Sequence, residues 1–268
     1  MHLTTIDSEF NNKYQPLSIG IVKSKLFNIN YIHESFYKAS VDFGSYRIHG
    51  LSESFLRKFG KEQFEARKLV NALGDTVLVG FSIENDIRAI RIPRHYKLID
   101  LHDIFQSFGL SISLEKFGIK TGIINKFKNF MPLHTALMDS FLTFAILEHL
   151  VFFLRREGFS TTEVLNDLID ITKNFKSKEN SDEYHKKYES LKDLLKELKD
   201  VPIEVNKCKD IYIKLKNNTF DVLDSECNII ARYKKNEYQY FRDKNKRKVE
   251  FIKCHKKEYN MGFKHLIF

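Results

Sequence analysis

The sequence predicts a mixed α/β sheet flanked by helices, with an antiparallel three-stranded start followed by parallel strands. Three observations lead there. Strand-like runs crowd the first forty residues, helix-like and strand-like segments alternate after them, and one long apolar segment, 141–154, is suited to cover a sheet.

Each element has its own signal. "HLTTI" (2–6), "PLSIGIV" (16–22) and "NINYIHESFYKA" (28–39) are β-branched or aromatic runs joined by short polar turns, and such short links favour an antiparallel meander. "KEQFEARKLVNALG" (61–74) brings Phe64, Leu69, Val70 and Leu73 near one helical face and stops at Gly74. "DTVLVGFS" (75–82) predicts a buried strand, "IENDIRAI" (83–90) a helix ended before Pro93, and "YKLID" (96–100) another strand. From His134, "HTALMDSFLTFAILEHLVFFLRREG" predicts a long helix closed by Arg155, Arg156 and Gly158. After Gly158 the character changes. "TTEVLNDLIDITKNF" (161–175) and "SDEYHKKYESLKDLLKELKD" (181–200) predict two helices. Between 203 and 254, "IEVNKCKDIYIKL", "TFDVLD", "NIIARYK", "EYQYFR" and "KVEFIKC" predict short strands with turn signals. The expected organisation is therefore a first domain over 1–158, a helical linker over 159–202 and a small β-rich domain over 203–268.

Composition narrows the class. Hydrophobic residues at 43% and charged residues at 29% are those of a globular protein with a well-buried core. Residues 201–268 carry 16 Lys and Arg against 9 Asp and Glu, a net +7, which makes the last domain a basic module. Basic modules meet phosphate backbones, and "RYKKNEYQYFRDKNKRK" (232–248) interleaves Tyr233, Tyr238, Tyr240 and Phe241 with cations, as a single-strand-binding surface requires. The same surface also suits a protein partner. The three cysteines, Cys208, Cys227 and Cys254, are few and odd in number, so a reducing compartment, the cytoplasm, is expected. Without a CxxC pair, a zinc site on Cys254 and His255 is disfavoured. The start of the chain lacks the order of a signal peptide, and 141–154 is short for a bilayer span and carries Glu148 and His149, so no membrane association is expected.

Three places carry candidate chemistry. Asp7 and Glu9 sit two residues apart on a strand, so they share a face with Cα atoms roughly 6–7 Å apart. Like charges held so close raise each other's pKa unless a cation lies between them. Asp86 follows a buried strand at the start of a helix, where ligands gather, with Glu84 as a nearby decoy. Asp139 borders the apolar stripe of the long helix with Leu142, Ala145 and Ile146, and His134 precedes it by one and a half turns. Each has a bland reading when taken alone: an acidic turn, a helix-surface acid, a polar residue at a helix start.

Together these elements resemble the DEDDh branch of the DnaQ-like 3′→5′ exonucleases, of ribonuclease H-like architecture. That family carries D-x-E in its first motif, here Asp7-Ser8-Glu9, and an aspartate in its second, here Asp86. Its third is H-x-A-x-x-D, here His134-Thr135-Ala136-Leu137-Met138-Asp139. "YRIHGLSESFL" (46–56) and "LEKFGI" (114–119) are similar to the segments that precede the second and third motifs. The resemblance covers about 1–157. Two departures stand out: Phe10 where the family often has Thr or a small residue, and Phe81-Ser82 where many members carry His-Asn.

The carboxylate set suits hard cations, Mg²⁺ or Mn²⁺, rather than zinc. The resemblance implies two such ions held by Asp7, Glu9, Asp86 and Asp139, with His134 as general base and nucleoside 5′-monophosphates leaving a 3′ end of DNA or RNA. It also implies that Phe10, His49 and Leu51 border the pocket for the terminal nucleotide. Phe10 suits base stacking and core filling equally well, and His49 also reads as a turn histidine. A catalytically weak nucleic-acid-binding or polymerase-accessory subunit, and an endonuclease of the same fold, are the competing readings.

Overall fold

In the computed structural model, residues 1–42, 45–46, 49–126 and 135–200 are described, together with the backbone of three strands within 212–234. The chain divides into two compact units, Met1–Ile203 and Glu204–Phe268.

The first unit is built on a five-stranded sheet of order β3-β2-β1-β4-β5. β1 (His2–Phe10), β2 (Pro16–Lys25) and β3 (Asn28–Phe36) form the expected antiparallel meander. β4 (Val77–Gly80) then joins β1 in parallel, and β5 (Leu98–Asp100) joins β4 in parallel. β1 runs to Phe10 rather than stopping at Ile6. Asp7 and Glu9 therefore lie within paired strand, opposite Gly20 and Ser18 of β2.

Period-two alternation feeds two cores. Leu3, Val77 and Val79 face one side, and Ile6, Leu78, Ile19 and Ile21 face the other. The second side is covered by α2 (Gln63–Asn71), which contributes Ala66 and Val70, and by α3 (Glu84–Ile90), which contributes Ile90. A short α1 (Glu53–Phe59) precedes them, capped by the Ser52 hydroxyl accepting from the Phe55 N–H. Arg91, in the left-handed region at φ 62°, ends α3 before Pro93 is reached.

The first side is covered by α4 (Leu101–Ser107), α5 (Leu114–Lys120) and the long α6 (Ala136–Arg156). Among the described residues α6 alone is long and apolar enough to cross a membrane, with a mean hydropathy of 1.7. Its length thus exceeds what 141–154 alone predicts. Its apolar stripe, Leu142, Ile146, Leu147, Leu150 and Leu154, is fully buried against the sheet and its neighbouring helices.

Within the stretch 159–202, expected as a linker, the described residues to 200 instead contribute to this unit's core. α7 (Thr161–Ser177) opens on a capping box between Ser160 and Glu163 and buries Val164, Leu165, Leu168 and Ile171. The single helix expected over 181–200 is two, α8 (Asp182–Lys187) and α9 (Glu189–Asp200). The break falls at Tyr188, whose ring is fully buried edge-on to Phe159 while its hydroxyl bonds to Asp167. Leu191, Leu195 and Leu198 continue the same core. The core-forming pattern of these helices is what places the boundary at Ile203 rather than at 158.

The second unit contains an antiparallel sheet of β6 (Tyr212–Leu215), β7 (Thr219–Leu223) and β8 (Ile229–Lys234), in that order. The further strands expected at 237–242 and 248–254, and the Cys254–His255 pair, lie outside the described residues.

Candidate active site

Asp7 and Glu9 project from the same face of β1, and Asp139 reaches them from the first turn of α6. Gly20 makes this meeting possible. It lies opposite Asp7 in β2, and a Cβ there would overlap the backbone of Ala136 and Leu137. With only a hydrogen at that position, the start of α6 presses directly onto the sheet. The Ser140 hydroxyl donates to the Gly20 carbonyl at 2.9 Å and fixes the contact. The Thr135 side chain caps the helix by accepting from the Met138 N–H.

One oxygen each from Asp7, Glu9 and Asp139 falls within 4.8 Å of the others, and all three side chains are half-buried. Removal from water, then the charges of Asp86, Asp139 and Glu9, push the Asp7 carboxyl well above the usual carboxylate range. Three acids converging on one point with a strained Asp7 are what a divalent cation would relieve. The all-carboxylate donor set fits a hard ion such as Mg²⁺ or Mn²⁺.

Asp86 is not among the three converging oxygens, yet it is the strongest charge acting on Asp7. It is buried, and its Oδ1 accepts from the Ser8 N–H at 2.8 Å and from the Ser8 hydroxyl at 2.7 Å. Burial pushes its carboxyl up to about 7, the two Ser8 hydrogen bonds pull it down, and Asp100 raises it further. Ser8, between the two acids of the first motif, thus ties α3 to β1.

Two functional supports escaped the sequence reading. Asp100 is almost fully buried at the end of β5, where its carboxylate accepts from the N–H groups of Ser82 (2.9 Å), Ile83 (3.0 Å) and His102 (3.1 Å). It caps α4 and holds the β4–α3 turn, in which Ser82 is left-handed at φ 64°. That turn launches the helix that carries Asp86. An aspartate closing a strand before "LHDIF" was a legible helix cap, but nothing local revealed its second partner. Glu34 lies in the row Asp7–Gly20–Glu34 across three strands, and its carboxylate accepts from the Leu137 N–H at the start of α6. Burial holds it above the usual range. Only the strand register shows this.

The remaining expected residues divide. Phe10 is half-buried and stacks on Tyr14 with ring centroids 5.2 Å apart, while the Arg88 guanidinium lies 4.7 Å from the Tyr14 ring centre. His49 is buried, and its Nδ1 accepts from the Leu51 N–H at 2.9 Å. Leu51 is buried with Leu17 and Leu56. Phe81 packs against His102 and Phe105. His134 lies outside the described residues, and α6 begins at Ala136 behind its Thr135 cap.

No family model and no curated protein matches this chain. Among solved structures it is similar to exonuclease X in complex with 5′-overhanging duplex DNA, at 18% identity and a TM-score of 0.48 over 63% of this chain and 99% of that one. It is also similar to E. coli exonuclease I in complex with a dA16 oligonucleotide, at 16% identity and a TM-score of 0.44, covering 55% of this chain and 40% of the other. Product-bound exonuclease I is similar at 14% identity and a TM-score of 0.43. The chain thus spans nearly all of exonuclease X and about two fifths of exonuclease I.

Proposed function

We propose that this chain is a metal-dependent 3′→5′ exonuclease that releases nucleoside 5′-monophosphates from single-stranded 3′ ends. The observation that carries the reading is the convergence of Asp7, Glu9 and Asp139 within 4.8 Å, with Asp86 buried behind them. A pure binder gains nothing from raising a carboxyl such as Asp7 in this way, since clustered acids repel the phosphates of a nucleic acid.

Asp7, Glu9 and Asp139 would hold the cations, with Asp86 completing the set through the oxygen not bonded to Ser8. Bound there, the ions supply positive charge to the scissile phosphate and make water a stronger acid. Every other part is the protein's own. Gly20 and Ser140 set the approach of Asp139, Ser8 and Asp100 set that of Asp86, and the imidazole of His134 takes the proton of the attacking water near neutral pH. Phe10, His49 and Leu51 border the terminal nucleotide. The basic segment 203–268 adds contacts to the phosphates of the substrate.

The test is a 5′-labelled single strand, as matched DNA and RNA, incubated with Mn²⁺ alongside a circular substrate. A descending ladder with the circle left intact, absent in Asp7→Ala, is expected. Cuts in the circle, or a ladder undiminished in Asp7→Ala, would refute the assignment.

A further inference from the structure

We propose that α7 is a positioning element of the acidic site. Thr172 and Lys176, one helical turn apart on it, hold the turn that launches Asp86 and so set how tightly the site takes its cations. This role rests on the exonuclease reading and carries it beyond residues 1–157, where the motifs of that reading lie.

The first hold is made at the edge of the sheet. β5 is an edge of the five-stranded sheet, so its outer backbone groups need partners other than a strand. At its end the Asp100 N–H donates to the Thr172 hydroxyl at 3.1 Å. That hydroxyl is aimed by its own proton, which it donates to the Leu168 carbonyl one turn back at 2.9 Å, leaving a lone pair for Asp100. Thr172 is 1% exposed, so water does not compete for the bond.

What Asp100 does with its carboxylate carries this hold to the site. It takes the N–H groups of Ser82 and Ile83, in a turn whose Ser82 lies at φ 64°. A side chain resists that conformation, which persists only where the surroundings dictate it. α3 starts at the next residue, Glu84, and Asp86 lies in its first turn. Lys176, four residues after Thr172 and so on the same face of α7, grips that first turn directly. Its Nζ lies 2.7 Å from Glu84 Oε1 and 3.9 Å from Asp103 Oδ2 of α4. α7 thus fixes the turn twice, at its backbone through Asp100 and at the first residue of α3. From the other side Asp86 is fixed by the two Ser8 hydrogen bonds of β1. A carboxylate held between two anchors has its free oxygen in place before an ion arrives. Release of one anchor lets the strained turn relax and that oxygen drift.

The test titrates Mn²⁺ into the full chain without substrate and reads free Mn²⁺ by electron paramagnetic resonance. Thr172→Val keeps the shape and removes the hydroxyl, and should raise the Mn²⁺ Kd about tenfold, the effect that outer partners of metal ligands carry. Thr172→Ser keeps the hydroxyl and should stay within about twofold of wild type. Lys176→Met should raise the Kd about threefold, although loss of a positive charge near acids would lower it by Coulomb attraction alone. Lys176→Arg should restore the wild-type value. Lys176 is partly exposed, so Lys176→Met carries the test should Thr172→Val not fold. Leu165→Ala opens a gap in the buried face of the same helix, two turns from Thr172, and measures what lost stability alone does. It should lower the melting temperature and leave the Kd within about twofold of wild type. Unchanged affinity in Thr172→Val, tighter binding in Lys176→Met, or a loss in Leu165→Ala equal to that in Thr172→Val would overturn the proposal. A wild-type chain that takes up no Mn²⁺ at millimolar concentration would sink the cation-dependent reading instead. Hydrogen exchange at the Ser82 and Ile83 amides, expected to quicken in Thr172→Val and not in Leu165→Ala, then decides whether α7 holds the turn.

Discussion

Asp86→Asn should stabilise the cation-free protein at alkaline pH, because the native structure confines a carboxylate where water cannot solvate it. Asp86 is buried and its carboxyl is pushed up to about 7, against an ordinary value near ~3.9. Between about pH 4 and 7 the folded protein keeps a proton on Asp86 that the unfolded chain has lost, so stability falls as pH rises through that window and is lowest above it. Three pKa units at 1.36 kcal/mol each put the cost at about 4 kcal/mol at pH 8. Asn keeps the oxygen that accepts from Ser8 and removes the charge. It also removes the strongest charge acting on Asp7. Urea denaturation in EDTA, followed by circular dichroism at pH 5 and pH 8, measures the effect. The wild type should lose stability between the two pH values, and the variant should lose about 2–3 kcal/mol less, the part of the window that lies above pH 5. Saturating Mn²⁺ should reverse the order, since a ligand at a hundred times its Kd adds ~2.7 kcal/mol to the state that binds it. An Asp86→Asn protein that keeps the wild-type pH slope in EDTA, or that is weaker than wild type at pH 8, would show that the buried Asp86 charge does not destabilise the fold.

Other perturbations test the supports. Gly20→Val should force α6 off the sheet and cost ~1–3 kcal/mol or more, with loss of nuclease activity exceeding the loss of folded protein at 20 °C; full activity at unchanged stability would contradict the close approach. Asp100→Ala strips the acceptor from the Ser82, Ile83 and His102 N–H groups and should cost roughly 2–4 kcal/mol in urea denaturation, with Asp100→Asn recovering part of it. Equal stability of the alanine and asparagine variants would show that the turn does not depend on those bonds.

Much of the scaffold was legible in the sequence because it is governed by local periodicity. Alternation in "HLTTI" and "DTVLVGFS", and the stripe of "FLTFAILEHLVFFL", report burial directly. The acids of the candidate site were legible as types at a spacing, since Asp7 and Glu9 share a face by strand geometry alone. What escaped depends on contacts between distant segments. Gly20 reads as an ordinary strand glycine until Ala136 and Leu137 are seen against it. Asp100 and Glu34 each serve an element far along the chain, and Tyr188 breaks a continuous helical pattern because its ring has a place in the core. The same contacts explain why 159–202 reads as a linker: its amphipathic faces are evident, but not the surface they cover.

Asp7, Glu9 and Asp139 are proposed to hold the catalytic cations. Crystals of the full chain soaked in MnCl₂ and measured at the manganese absorption edge test this most directly. Anomalous density is expected among these three carboxylates, diminished in Asp7→Asn. Well-ordered crystals with that space free of manganese at millimolar concentration would contradict it.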